Sequence, residues 1–229
     1  PMGHMHVQRA LEMASKPVKV VANDLNDERM AITAEKYAGV ADENGVALVC
    51  FSGSSFDSQE AFAQRMMAES GGNGFNDIVV CAPSPRAVES AIPFLAENAV
   101  MNVFAGLPRG TQAFFDYNLV IAKGVRFTGT SGSSIDDLRN MLDLTESKSL
   151  STNSVVAAVA GLEGVGDGLR AVADGEFAGK IVIYPQIKPL PVTPLAELAD
   201  KLPSVHAKLG EGGLWTNEAE EELLKVMLP

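Results

Sequence analysis

Only two cysteines, three histidines and one tryptophan occur in 229 residues, and these scarcities exclude a good deal. Cys50 and Cys81 have no CxxC spacing and sit in apolar runs, so they cannot build a structural zinc site and read as reduced core thiols. His4 and His6 are two apart and do not share a helix face, while His206 is remote, so no helical zinc pair follows. No metal ligand and no catalytic residue is therefore assigned. The chain has no apolar run of about 18 residues and no signal-peptide pattern, which predicts a soluble, cytoplasmic protein without a membrane partner. The net charge of -11, with the acids dispersed, argues against a nucleic-acid surface.

What is present is a chain 46% hydrophobic, long enough for a sizeable core, in which β-rich runs alternate with helical patterns. Strands are predicted over residues 18–24, 46–51, 78–82, 100–104 and 125–128. Helices are predicted over 5–15, 27–37, 57–69 and 85–95. Asp57 would cap the third helix, Gly71-Gly72 would close it, and Pro85 stands in the permitted first turn of the fourth. The apolar runs are continuous, as expected of a parallel sheet covered on both faces by crossover helices.

The first residues, Pro1-Met2-Gly3-His4-Met5-His6, read as the end of a glycine-rich dinucleotide turn running into its helix. Gly3 would be the last glycine of that turn, placed where a side chain would hold the helix off the sheet. Asp24 ends the next strand at about the 20-residue offset at which an acid meets the ribose hydroxyls. Gly3-His4-Met5 is also what affinity-tag removal leaves behind, a reading that would put the natural start at Met5. On the dinucleotide reading, the strand and glycines that begin the turn lie upstream, and the polypeptide is the back half of a larger enzyme. The expected fold is α/β, a Rossmann-like doubly wound parallel sheet lacking its first central strand. In the order 3-2-1-4-5-6 that leaves a slot between strands two and four. Upstream polypeptide fills it, the two neighbours close up, or the chain is a stable remnant.

Ligands of such sheets lie beyond the carboxyl ends of the strands. The expected lining is Asp24-Leu25, Ala82-Pro83, Ala105-Gly106-Leu107 and Thr130-Ser131.

Pro1-Met2-Gly3, Asp24 with Arg29, Gly74-Phe75-Asn76-Asp77-Ile78-Val79-Val80, Asn102-Val103-Phe104-Ala105-Gly106 and Gly179-Lys180-Ile181-Val182-Ile183-Tyr184-Pro185 together resemble the zinc-containing medium-chain alcohol dehydrogenases. The resemblance runs from Pro1 to about Gln186 and is nearest the family's sugar- and polyol-phosphate branch. It implies a coenzyme domain for NAD(H) joined to a catalytic domain built mainly from preceding sequence. By position it implies that Met2 and Gly3 lie against the pyrophosphate, that Asp24 binds the adenosine ribose with Leu25 and Arg29 beside it, and that Ala82-Pro83 and Ala105-Gly106-Leu107 lead to the nicotinamide. Zinc is implied only in the part that would precede this chain, so the chain alone is expected to be inactive.

Three segments are expected: 1–130 for coenzyme, 131–186 returning towards the catalytic domain, and 187–229 as a proline-rich linker with a helical extension. In the second, a helix over 136–146 with Leu138, Met141, Leu142 and Thr145 on one side precedes a β-α-β unit at 155–159, 162–173 and 180–184. Prolines 189, 191 and 194 mark the linker, and helices over 195–202 and 217–227 follow. Trp215 reads as a packing anchor, and Glu218, Glu220, Glu221 and Glu222 as a solvated helix face. The sixth strand, at the sheet edge with few guarding charges, predicts a homodimer through that edge. Function divides between an NAD- and zinc-dependent dehydrogenase of alcohols or polyols and a non-catalytic nucleotide-binding or oligomerisation module. A methyltransferase-like sheet leaves residues 126–185 without account.

Overall fold

The computed structural model describes residues 2–129 and 132–228, so Thr130 and Ser131 lie outside the described residues. Two compact units result. One holds Met2 and Arg9–Met141, the other Gly3–Gln8 and the chain from Leu142 onward.

Helix α1 (Met2–Glu12) precedes strand β1 (Lys19–Asp24), the first strand of the first unit. Asn26 caps helix α2 (Asp27–Asn44), its side-chain oxygen accepting from Arg29 N at 2.8 Å, and Gly45 ends it at φ 65. The helix passes well beyond the expected end near residue 37 and runs through Gly39, because one interior glycine costs a helix only about 1 kcal/mol and the left-handed stop comes at Gly45. Strand β2 (Ala47–Ser52) precedes helix α3 (Gln59–Glu69). The cap of α3 is Ser58 rather than Asp57, since the Ser58 hydroxyl accepts from Ala61 N at 3.1 Å. Strand β3 (Phe75–Val80), helix α4 (Pro85–Ala91), strand β4 (Leu95–Val103), helix α5 (Asn118–Lys123) and strand β5 (Arg126–Thr128) complete the series.

The strands make two parallel ladders, β1-β2 and β3-β4-β5. In the first, Lys19 stands opposite Ala47 and Asp24 opposite Ser52. In the second, Val80 stands opposite Val103, and Asn102 opposite both Val79 and Thr128. On the usual count these are strands two and three, then four, five and six. Among the described residues no pairing joins β1 to β3.

One face of β3-β4-β5 gathers Val80, Leu95, Ala99 and Met101 with Val88, Ile92 and Val125 into a buried cluster. Because successive side chains alternate, Val79 projects the other way and is 42% exposed, and all three residues of β5 are exposed. The expectation of strands covered on both faces therefore fails here. An apolar run in sequence reports the type of strand, but not whether each face has found a partner.

Helix α6 (Ile135–Glu146) forms as expected, but the apolar stripe is not buried: Leu138 and Leu142 are each 56% exposed. The second unit contains strand β6 (Val156–Gly161), helix α7 (Val165–Asp174) and strand β7 (Lys180–Tyr184), which is parallel to β6. The proline-rich segment is not a free linker. Leu162 N donates to Ile187 O at 2.7 Å and Gly161 N to Leu190 O at 2.8 Å. Strand β8 (Thr193–Pro194) pairs antiparallel with β6. Gly161 is required there, because a Cβ would strike the Ile187 carbonyl oxygen.

Helices α8 (Leu198–Lys201), α9 (Pro203–His206) and α10 (Asn217–Met227) enclose a core of Val159, Tyr184, Ile187, Leu198, Trp215 and Leu223. Trp215 is the anchor expected. Glu218 and Glu221 are solvated, but Glu220 is not merely surface, since its carboxylate accepts from the Tyr184 hydroxyl at 3.1 Å.

Burial first, and the Glu220 carboxylate second, push the Tyr184 phenol above its ordinary 10.0. A raised folded-state value means that this contribution to stability is complete below pH 10 and is lost as pH rises towards the folded value. Tyr184→Phe is expected to flatten the alkaline fall in stability, measured by urea unfolding across the alkaline range. An unchanged pH profile would contradict the linkage.

Candidate nucleotide site

The carboxyl end of β1 carries the most developed constellation. Asp24 Oδ1 accepts from Asn26 N at 3.1 Å, and Oδ2 pairs with Arg29 Nη1 at 2.9 Å. Both side chains are about one-third exposed, so the pair is held in position yet open to a ligand. Asn26 sets that geometry by capping α2, since the cap brings Arg29 back over the strand end. A carboxylate placed so can accept from two neighbouring hydroxyls, as a ribose presents. Asp27 and Glu28 in the first turn of α2 add negative charge.

Leu25, beside Asp24, is 79% exposed and leans towards Gly53, where a Cβ would come within 3.5 Å of its Cδ2. This brings the loop after β2 beside the loop after β1. Ser52 is buried, with Oγ 2.7 Å from Ser54 Oγ, and the Ser55 hydroxyl donates to Asp27 Oδ1 at 2.8 Å. The Ser55 hydroxyl first, then Ser52, holds the Asp27 carboxyl below its usual 3.8. Ser52, Ser54 and Ser55 were missed by the sequence reading. Their signal was a Ser-Gly-Ser-Ser run at a strand's carboxyl end, which reads equally as an ordinary turn.

A second cluster lies at the ends of β3 and β4. Phe104 N and Ala105 N both donate to Val80 O, at 3.1 and 2.9 Å, which fastens the start of the Ala105-Gly106-Leu107 loop to the end of β3. Ser84 N donates to Ala82 O at 2.8 Å, turning the chain at Ala82-Pro83. Beside these loops is a mostly apolar cavity of about 270 Å³ lined by Val88, Val103, Leu107, Thr111, Ala113, Phe115 and Phe127. Such a wall suits a flat, weakly polar ring.

Of the expected residues, the structure brings together Asp24, Leu25 and Arg29 on one ladder, and Ala82, Pro83, Ala105, Gly106 and Leu107 on the other. Met2 and Gly3 lie inside the first turn of α1. The steric reason expected for Gly3 is not found, because a Cβ there would meet nothing within 4 Å. Thr130 and Ser131 are outside the described residues. Cys50 and Cys81 are half-buried free thiols raised by burial. Among the described residues no group of three His, Cys, Asp or Glu side chains could hold a metal ion. No helix among them is long and apolar enough to cross a membrane.

Residues 1–147 match the family model described as zinc-binding dehydrogenase. The chain belongs to that family. L-Sorbose 1-phosphate reductase of Klebsiella pneumoniae is 31% identical over 233 residues, which cover 98% of this chain and 52% of the relative. The chain thus spans about half the length of the curated relatives it matches. Among solved structures it is similar to an alcohol dehydrogenase of Escherichia coli CFT073 complexed with NADH (TM-score 0.58, 16% identity, 76% of this chain and 46% of that one). It is also similar to a zinc-binding dehydrogenase of Sinorhizobium meliloti bound to NADP (TM-score 0.57, 14% identity, 75% of this chain and 46% of that one). These likenesses establish a Rossmann-like coenzyme fold. Both coenzymes occur among them, so the choice of coenzyme has to be argued from the site.

Proposed function

We propose that the chain is the coenzyme-binding portion of an NAD(H)- and zinc-dependent dehydrogenase that moves hydride between the coenzyme and a secondary alcohol or ketone of a polyol or sugar phosphate. The observation that carries this reading is Asp24 at the end of β1, tied to Arg29 and open to solvent. In that role Asp24 takes the adenosine ribose hydroxyls with Leu25 and Arg29 beside it. The Ala82-Pro83 and Ala105-Gly106-Leu107 loops lead to the nicotinamide. NAD supplies the hydride-accepting ring, while this chain's residues bind and orient it. What supports a sugar-phosphate substrate is the likeness to the sorbose 1-phosphate reductase.

NAD is preferred because Asp24, Asp27 and Glu28 repel a second ribose phosphate. Asp24→Ala in the complete protein is expected to weaken NAD binding roughly 10- to 100-fold, the worth of a charged hydrogen-bond acceptor, and NADP far less. Equal losses measured by calorimetric titration would remove Asp24 from the ribose site.

Zinc belongs to the part of the protein outside this chain, and without it the chain turns over no alcohol. Metal analysis of tag-free protein should therefore find no stoichiometric zinc, and one tightly bound zinc per chain would overturn the proposal. We further propose a cytoplasmic homodimer joined through β5. What supports this pairing is the open outer edge of β5 and the exposed Phe114, Tyr117 and Ile121 near it. Phe127→Pro removes a ladder donor and is expected to convert the dimer to monomer in sedimentation. A dimer indifferent to this change, or a wild-type monomer at micromolar concentration, would refute it. If the complete protein binds NAD but turns over no alcohol, the non-catalytic module becomes the better reading.

A further inference from the structure

We propose that Arg109 and Arg86 form the subsite that takes the phosphate group of a phosphorylated polyol or ketose, an assignment of substrate that rests on the dehydrogenase reading above. Both stand beyond the carboxyl ends of the second ladder, Arg86 after β3 and Arg109 after β4. Arg109 is at the tip of a turn in which Thr111 N donates to Pro108 O at 3.1 Å and the Thr111 hydroxyl donates to the same oxygen at 2.8 Å. Leu107 before this turn and Thr111 within it both line the cavity of about 270 Å³, so Arg109 stands at its rim. Arg86 lies about one helical turn before Glu89 on α4, on the same face. Glu89 Oε1 accepts from Phe114 N at 2.9 Å, which sets that face against the segment carrying Ala113 and Phe115 of the cavity wall.

Neither cation is engaged within the chain. Arg29, Arg65, Arg139 and Arg170 each pair with an acid, whereas among the described residues Arg86 and Arg109 pair with none, and both are exposed. Glu89 and Asp116, acids on the same two segments, are bonded to backbone N–H groups instead, the first to Phe114 N and the second to Asn118 N at 2.8 Å. Arg86 brings α4 no stability from its place in the first turn, where the helix dipole favours an acid. A chain of net charge -11 repels a phosphate dianion over most of its surface, so guanidinium groups without acid partners are where one can settle. Their planar forks match the oxygens of a phosphate ester. In this arrangement the apolar wall takes the nicotinamide, the reacting carbon lies against that ring, and the phosphate, several bonds away, reaches the rim. The coenzyme's own pyrophosphate is the other source of the same chemistry, and the test separates the two.

The test is an NMR titration of the isotopically labelled 229-residue chain with glucitol phosphate, with glucitol and with NAD, following backbone amides and the arginine Nε–H groups. Glucitol phosphate at millimolar concentration should move the Nε–H signals of Arg86 and Arg109 and the amides of residues 107–111, and glucitol should move none of them. Arg109→Gln should weaken this binding about tenfold, the worth of one charge-assisted hydrogen bond, and Arg86→Gln should weaken it as well. Both positions are exposed, and unchanged signals from β3 and β4 verify that each variant is folded. No response to the phosphate ester, an equal response to glucitol, or an affinity indifferent to Arg109→Gln would each overturn the proposal. NAD alone moving the two arginines as far as the phosphate ester does would assign them to the pyrophosphate and overturn it too. The nucleotide reading fails separately, if NAD leaves residues 24–29 and 52–55 unmoved while the phosphate ester still moves the arginines.

Discussion

A parallel strand inside a sheet must place its backbone donors and acceptors on a strand at each side, and the first unit depends on how that demand is met. β4 meets it, being bonded to β3 and β5, and the best-buried cluster of the unit, with Leu95, Ala99 and Met101, gathers on it. β1 and β3 meet it on one side only. The consequence is a coenzyme-type fold in two ladders, with its ligand-facing loops in two groups: a polar one after β1 and β2, and an apolar one after β3 and β4. The polar group has the chemistry for a ribose, and the apolar group for a ring.

The second unit meets the same demand differently. β6 is bonded to β7 on one side and to the short β8 on the other, and the proline-bearing segment satisfies the backbone at the end of β6. Proline is compatible with this because the segment serves mainly as carbonyl acceptor to Gly161, Leu162 and Glu163, a role that needs no proline N–H. Around this ladder Ile187, Leu198, Trp215 and Leu223 close a core of their own. The Tyr184 hydroxyl ties α10 to β7 through Glu220.

Much of this was legible because local chemistry marks it. Asp24 was visible from its offset, and the order of strands and helices from alternating apolar runs. Helix ends moved where a cap lay one residue away, as at Ser58, or where the helix tolerated one glycine, Gly39, and stopped at the next, Gly45. Features made by long-range pairing were not legible. Nothing near Ile187 announces that its carbonyl will accept from Leu162, and nothing in Val79 announces an open face. The Ser52-Gly53-Ser54-Ser55 run looked like any turn, because its place beside Asp24 depends on the register of β1 against β2.

The central claim is that the carboxyl end of the β1-β2 ladder receives the adenosine side of NAD. The most direct measurement is a two-dimensional NMR titration of the isotopically labelled chain with millimolar NAD. The account predicts that the largest amide shifts fall in residues 24–29 and 52–55, with β6, β7 and α10 unmoved. Shifts confined to the second unit, or none at either loop, would contradict it.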